Sequence, residues 1–202
     1  MLTLRTTRPS PFGRKVLIAA DLLGLSDRIA VEPADTSDPS DSLRQQNPLG
    51  KIPVLVLGDG TCLYDSRVIL DYLDHIAGGS RLIPVETAPR YRALRLAALA
   101  DGLLDAALLC VYETRFRAES ERSATWLAHQ QGKIDRALAL LEAEPPAAGA
   151  AITVGEIGLA CALGYLDLRF AGAWRAAAPR LVAFLDDFAA RVPAFAATRA
   201  EP

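Results

Sequence analysis

Basic charge is not in excess in this chain. Its 22 lysines and arginines stand against 24 aspartates and glutamates, a formal net charge of -2, so the cationic footprint that phosphate backbones demand is missing and no nucleic acid partner is expected. Apolar residues make up 51% of the sequence, yet no uninterrupted apolar run approaches the roughly 20 residues that cross a bilayer, and no membrane partner is expected either. The opening Met1-Leu2-Thr3-Leu4-Arg5 lacks the cationic start and apolar stretch of a secretory leader; the expectation is a cytoplasmic protein. Cysteine is scarce: Cys62, Cys110 and Cys161 lie roughly fifty residues apart among apolar neighbours and read as buried thiols, with neither a CxxC pair nor a metal cluster. His75 and His129 are the only histidines, so no zinc site is spelled out and no metal is expected.

What is present begins with strand-like alternation over residues 2–6. Ser10-Pro11 then introduces an apolar-periodic stretch through Phe12, Val16, Leu17, Ala20 and Leu23 to Gly24. Serine at the cap, proline at the first helical position and glycine just past the end mark a helix. Ile29 to Glu32 reads as a second strand, and the polar segment Asp35 to Gln46 as a loop with one short helix. Ile52 to Leu57 is a third strand, Gly58-Asp59-Gly60 a hairpin turn, and Cys62 to Tyr64 a short fourth strand. Asp65-Ser66 caps a helix with the apolar face Val68, Ile69, Tyr72, Leu73 and Ile76, ending at Gly78-Gly79. The order β-α-β, then β-β-α, predicts a small mixed sheet covered by helices, with a right-handed crossover joining the first two strands in parallel.

After Gly79 the pattern changes. Residues 80–88, containing Pro84, read as a linker, and from Pro89 onward only helical periodicity appears. Helices are predicted over 89–118, 121–143, 154–170 and 178–191, interrupted by Pro145-Pro146 and an alanine-rich loop to Ala151. The reading is therefore α/β plus all-α: a first domain over 1–79 and a helical bundle over 89–202. Trp126 and Trp174 are expected to be packing residues.

Three segments carry a family resemblance. Ser10-Pro11-Phe12-Gly13-Arg14-Lys15-Val16 resembles the S-P-F-x-R-K-V opening of many bacterial members of the glutathione S-transferase superfamily. Asn47-Pro48-Leu49-Gly50-Lys51-Ile52-Pro53-Val54-Leu55 is similar to its N-P-x-G-K-[VI]-P-x-L segment, and Tyr64-Asp65-Ser66 to its acidic-residue-plus-serine pair. Thr153-Val154-Gly155-Glu156 resembles the S/T-x-x-D capping box of its helical domain, with glutamate in place of aspartate, which serves a capping box equally well. The resemblance implies that the first domain is thioredoxin-like and binds glutathione as co-substrate.

On local sequence alone Ser10 is a helix cap. The resemblance implies that it also donates its hydroxyl hydrogen to the glutathione sulfur, which would lie at the positive end of the helix that follows. Phe12 belongs to the same glutathione-binding set, and Arg14 adds a positive charge if it faces the ligand. A cis Ile52-Pro53 bond is implied, freeing the Ile52 backbone to pair with the cysteinyl part of the tripeptide. The γ-glutamyl carboxylate falls to Ser66, its ammonium to Asp65, and the glycyl carboxylate to Lys51. Asp101 and Asp105 lie on one helical face; a solvated face, or a pairing with Arg95 or another nearby arginine, is the simpler account, and an approach of Asp101 to the neighbouring subunit's glutathione is the alternative that the resemblance suggests. Tyr112, Arg115 and Phe116 are candidates for the second-substrate pocket. The implied function is a homodimeric transferase that joins glutathione thiolate to a small hydrophobic electrophile, in detoxification. A glutathione-dependent disulfide reductase or isomerase, and a non-catalytic glutathione-binding or protein-docking member comparable to the stringent starvation proteins, stay open. Serine where the disulfide-exchanging members place cysteine disfavours a mixed disulfide at residue 10.

Overall fold

The computed structural model describes residues 1–201, which fall into two compact units: Met1–Ala93 with Val192–Glu201, and Leu94–Arg191. The first unit is thioredoxin-like. It contains β1 (Leu2–Thr6), α1 (Pro11–Leu22), β2 (Ile29–Pro33), α2 (Leu43–Gln46), β3 (Val54–Val56), β4 (Cys62–Leu63) and α3 (Ser66–Ile76). The sheet runs in the order β2-β1-β3-β4. β1 pairs in parallel with β2, Leu4 opposite Val31, and antiparallel with β3, Leu4 opposite Leu55. β3 and β4 form the expected hairpin, with Val56 opposite Cys62. Leu4, Val54 and Leu55 are fully buried at the centre of the sheet, whereas Val31 on the edge strand is exposed.

β1 and α1 approach so closely that only glycine fits at position 13. A Cβ there would lie 1.9 Å from Thr6 Oγ1, well inside any permitted contact. The same approach leaves the buried Thr6 hydroxyl without a hydrogen-bond partner. At the other end of α1, Arg81 donates to the carbonyls of Leu23 at 3.1 Å and Leu22 at 2.9 Å, supplying partners to carbonyls that a helix end leaves open. The loop carrying Arg81 is itself fixed by the buried Asp74, whose Oδ1 accepts the Arg81 and Leu82 N–H groups at 3.0 and 2.7 Å.

The third strand is shorter than the expected Ile52 to Leu57, because Pro53 has no N–H to contribute to a ladder and pairing begins at Val54. The polar 35–46 segment is tied down by Arg5 of β1. Its guanidinium reaches Asp41 at 2.8 Å, Ser42 at 2.8 Å, Gln46 at 3.1 Å and the Pro33 carbonyl at 3.2 Å.

The second unit is helical, as expected. It takes α4 (Thr87–Phe116) from Leu94 onward, then α5 (Ala124–Ala143), α6 (Val154–Phe170) and α7 (Pro179–Arg191). α4 starts two residues before Pro89, since proline is tolerated in a first turn whose N–H groups lack helical partners anyway. α6 buries side chains on all its faces, from Val154 through Cys161 to Leu166, which marks it as the central helix of the unit. The capping box is present: Gly155 N–H donates to Thr153 Oγ1 at 3.1 Å, and Thr153 N–H to Glu156 at 2.9 Å. Trp174 is buried and its Nε1 donates to Asp167 at 2.9 Å. Trp126 differs from expectation, being 42% exposed and stacked on His129, because it lies in the first turn of α5, on a stretch whose neighbours are solvated.

The last helix, α8 (Pro193–Ala197), was not foreseen and belongs to the first unit, whereas the sequence reading places everything after 89 in the helical bundle. The cause is Arg14. Its guanidinium lies 4.0 Å from the centroid of the Phe195 ring, Nε donates to Thr198 Oγ1 at 3.2 Å, and the Phe195 carbonyl accepts from the same side chain.

Candidate functional site

Ser10 sits at the junction of the β1 loop and α1. It is 9% exposed, its backbone is extended, and its Oγ accepts the Gly13 N–H at 3.2 Å. The cap reading of this residue therefore holds in the geometry. It does not compete with a donor role, because a serine oxygen has two lone pairs and one hydrogen: capping uses the oxygen as acceptor and leaves the O–H to be donated. Pro11 at the first helical position removes one N–H, and Ser10 satisfies another; the rest contribute to the positive end of α1.

The turn from Asn47 to Lys51 is built by a side chain that the sequence reading did not single out for a role. Asn47 is 2% exposed; its Nδ2 donates to the Lys51 carbonyl at 2.9 Å and its Oδ1 accepts the Leu49 N–H at 3.0 Å. Gly50 closes the turn at φ +61, a conformation that glycine adopts without penalty. The signal was available in the Asn-Pro-x-Gly pattern, since asparagine bonds its own backbone in turns of this kind. The turn delivers the chain to the Ile52–Pro53 bond, which is cis, as the resemblance implies. Pro53 is buried, Ile52 half-buried and Lys51 exposed.

The Tyr64–Asp65 bond is also cis. Asp65 is exposed and caps α3, its Oδ1 accepting the Arg67 N–H at 2.9 Å. Ser66, the first residue of α3, is 2% exposed, and its Oγ accepts a hydrogen bond from Lys15 Nζ at 3.2 Å. Lys15 is 1% exposed and its Nζ lies 5.6 Å from the centroid of the Phe12 ring. The lysine thus brings the opening turns of α1 into register with the N-terminus of α3, uniting Phe12 and Ser66, which the sequence separates by more than fifty residues. Arg14, one position earlier, is turned toward α8 by its contacts with Phe195 and Thr198.

In the helical unit Asp101 is 1% exposed, so a solvated face does not describe it; Asp105 is exposed. Further along α4, the Tyr112 and Phe116 rings meet edge to face at 5.1 Å and Arg115 lies 5.3 Å from the Phe116 centroid. All three are exposed. On α6, burial pushes the Tyr165 hydroxyl above the ordinary value, opposed by a hydrogen bond and charge from Arg169 and by Arg115, while Tyr112 adds to the rise. Of the thiols, Cys110 is buried and burial pushes its pKa up, the opposite of nucleophilic activation. Cys62 is only partly buried, against expectation, because the two-residue strand β4 lies at the sheet edge. No group of three or more metal-ligating side chains is assembled among the described residues, and no helix there is long and apolar enough to cross a membrane.

Comparison with known proteins brings these features under one family. Residues 9–76 match the profile of the glutathione S-transferase N-terminal domain, and residues 124–187 that of the C-terminal domain. The uncharacterized GST-like protein YibF of Escherichia coli (strain K12) is 33% identical over 186 residues, covering 90% of this chain and 91% of that protein. A crystal structure of a glutathione transferase family member from Pseudomonas fluorescens Pf-5 with bound glutathione superposes with a TM-score of 0.93, at 44% identity and full coverage of both chains. A second, with bound S-(propanoic acid)-glutathione, gives 0.89 at the same identity and coverage. By sequence along nearly its whole length and by the architecture of both its units, the chain belongs to the glutathione S-transferase family.

Proposed function

We propose that this protein is an enzyme that binds glutathione along the first unit, ionises its thiol at Ser10, and transfers the thiolate to a small apolar electrophile. The observation that carries the proposal is the Ser10 hydroxyl at the start of α1, whose oxygen accepts the Gly13 N–H at 3.2 Å, a bond that leaves its hydrogen to be donated. A free thiol has a pKa of about 8.5. Lowering it by two units needs about 2.7 kcal/mol, which one hydrogen bond to a charged sulfur, about 1.5–3 kcal/mol, and a helix N-terminus, about 0.3–1 kcal/mol, supply together. The sulfur then attacks an electrophilic carbon: a C–S bond forms, and the electron pair leaves with the departing group or is protonated by water.

In this reading the Ile52 backbone N–H and C=O pair with the cysteinyl residue, Asp65 attracts the γ-glutamyl ammonium, Ser66 holds its carboxylate, Lys51 meets the glycyl carboxylate, and Phe12 lies against the tripeptide. Arg14 serves to hold α8. Tyr112 and Arg115 shape the electrophile's side. The glutathione and S-(propanoic acid)-glutathione bound to the Pseudomonas relative support both the ligand and a thioether product. The protein acts in the cytoplasm as a detoxifying homodimer.

The test is retention on immobilised glutathione followed by a steady-state assay with a chlorinated nitroaromatic electrophile. Binding with turnover that falls at least tenfold in Ser10→Ala is expected. Binding without turnover across electrophiles, epoxides and disulfides would assign the protein to the non-catalytic members instead.

A further inference from the structure

We propose that Lys15 is the positioning residue of the γ-glutamyl carboxylate: it sets the direction of the Ser66 hydroxyl and adds a positive charge behind it. The proposal rests on the reading of Ser66 as the holder of that carboxylate. Two buried side chains carry it, Lys15 at 1% and Ser66 at 2% exposure, joined by the 3.2 Å bond from Nζ to Oγ. A lysine ammonium has only hydrogens to give, and a serine hydroxyl has one hydrogen and two lone pairs. With Lys15 donating, one lone pair of Ser66 is occupied and its hydrogen is turned away from the ammonium, toward an acceptor on the far side. The result is a directed relay of donors, N–H to O–H to ligand oxygen, which selects an acceptor and rejects a donor at its open end.

Polarisation runs the same way. A hydroxyl that accepts from a cation is a stronger donor than one that does not, and the low local dielectric strengthens both bonds. The Phe12 ring, its centroid 5.6 Å from Nζ, offers an apolar face with negative π density that tolerates the cation while excluding water. Ser66 also opens α3, so the ligand oxygen meets a backbone N–H and the positive helix end at the same place. Arginine in place of Lys15 keeps the charge and the donor; methionine keeps the approximate length and removes both.

The experiment compares two ligands on three proteins by calorimetry: glutathione, and its analogue in which the γ-glutamyl carboxylate is replaced by hydrogen. For Lys15→Met, glutathione affinity is expected to fall about tenfold or more, with the analogue's affinity unchanged within twofold and Lys15→Arg retaining most of the discrimination. Because a buried lysine can matter for folding, the wild-type protein supplies a second readout. The 15Nζ resonance of Lys15, identified by its loss in Lys15→Arg, is expected to shift with glutathione and not with the analogue. Equal weakening of both ligands, or a resonance that responds to both or neither, overturns the role of Lys15 while leaving glutathione binding intact. No binding of glutathione by the wild type removes the reading of Ser66 and the role of Lys15 together.

Discussion

Gly13, Arg14 and Lys15 are consecutive, and each answers a different demand. Gly13 lets α1 lie against Thr6; a methyl there meets Thr6 Oγ1 at 1.9 Å and Thr6 Cβ at 2.9 Å. Gly13→Ala is expected to destabilise the fold by about 1–3 kcal/mol through overpacking, more than the gain in helix propensity of about 1 kcal/mol returns. Denaturant titration checks this, and Thr6→Ala in the same chain should recover part of the loss, since it removes the nearest atom. Arg14 and Lys15 diverge by the 100° between successive helical positions, one to Phe195 and the other to Ser66. The Ser-Pro start of α1 was readable because both residue types have local reasons to stand there. Which of two adjacent cations faces the site was not, because that depends on the Phe195 ring, 181 residues distant in sequence. The burial of Lys15 is hidden for the same reason: it is decided by partners that periodicity does not reveal.

At the scale of elements, α6 and α7 lie within a residue of their expected bounds, whereas α8 has no counterpart among the expected helices. α6 has a cap on one side and the left-handed pair Ala171, Gly172 on the other, and its bounds match the expected 154–170. α8 has only five residues and no amphipathic period to display; its single signal is Pro193 at the first helical position. The 35–46 loop shows how an element without regular structure is nonetheless fixed. Asp41 accepts the Asp35 and Leu43 N–H groups at 2.7 Å each, besides the Arg5 guanidinium. Those bonds, the Asp35 N–H foremost and then Leu43 and Arg5, hold its carboxyl below the ordinary aspartate value. A depressed folded-state pKa gives stability that is complete above the unfolded value of about 3.9 and is lost as pH falls through the folded one. Thermal unfolding followed from pH 6 downward should therefore show a steeper acid decline for the wild type than for Asp41→Asn. Parallel curves would mean that the carboxylate does not anchor the loop.

Across the whole molecule, the chain couples a thioredoxin-like unit to a helical one, and the family follows from both profiles and from a relative aligned over 90% of the chain. The first unit holds Ser10, the turn ending at the cis Ile52–Pro53 bond and the Asp65-Ser66 start of α3, each at a helix or strand end. The second unit carries an aromatic and cationic cluster at Tyr112, Arg115 and Phe116, whose ring and guanidinium contacts depend on side-chain rotamers that helical period does not reveal. The central claim is that Ser10 and the α1 terminus stabilise a thiolate. It is tested most directly by titrating the thiolate absorbance of glutathione bound to the wild type and to Ser10→Ala. The account predicts a bound thiol pKa at least one unit below the free value of about 8.5 in the wild type, moving back toward it in the variant; identical titration curves for the two proteins would contradict it.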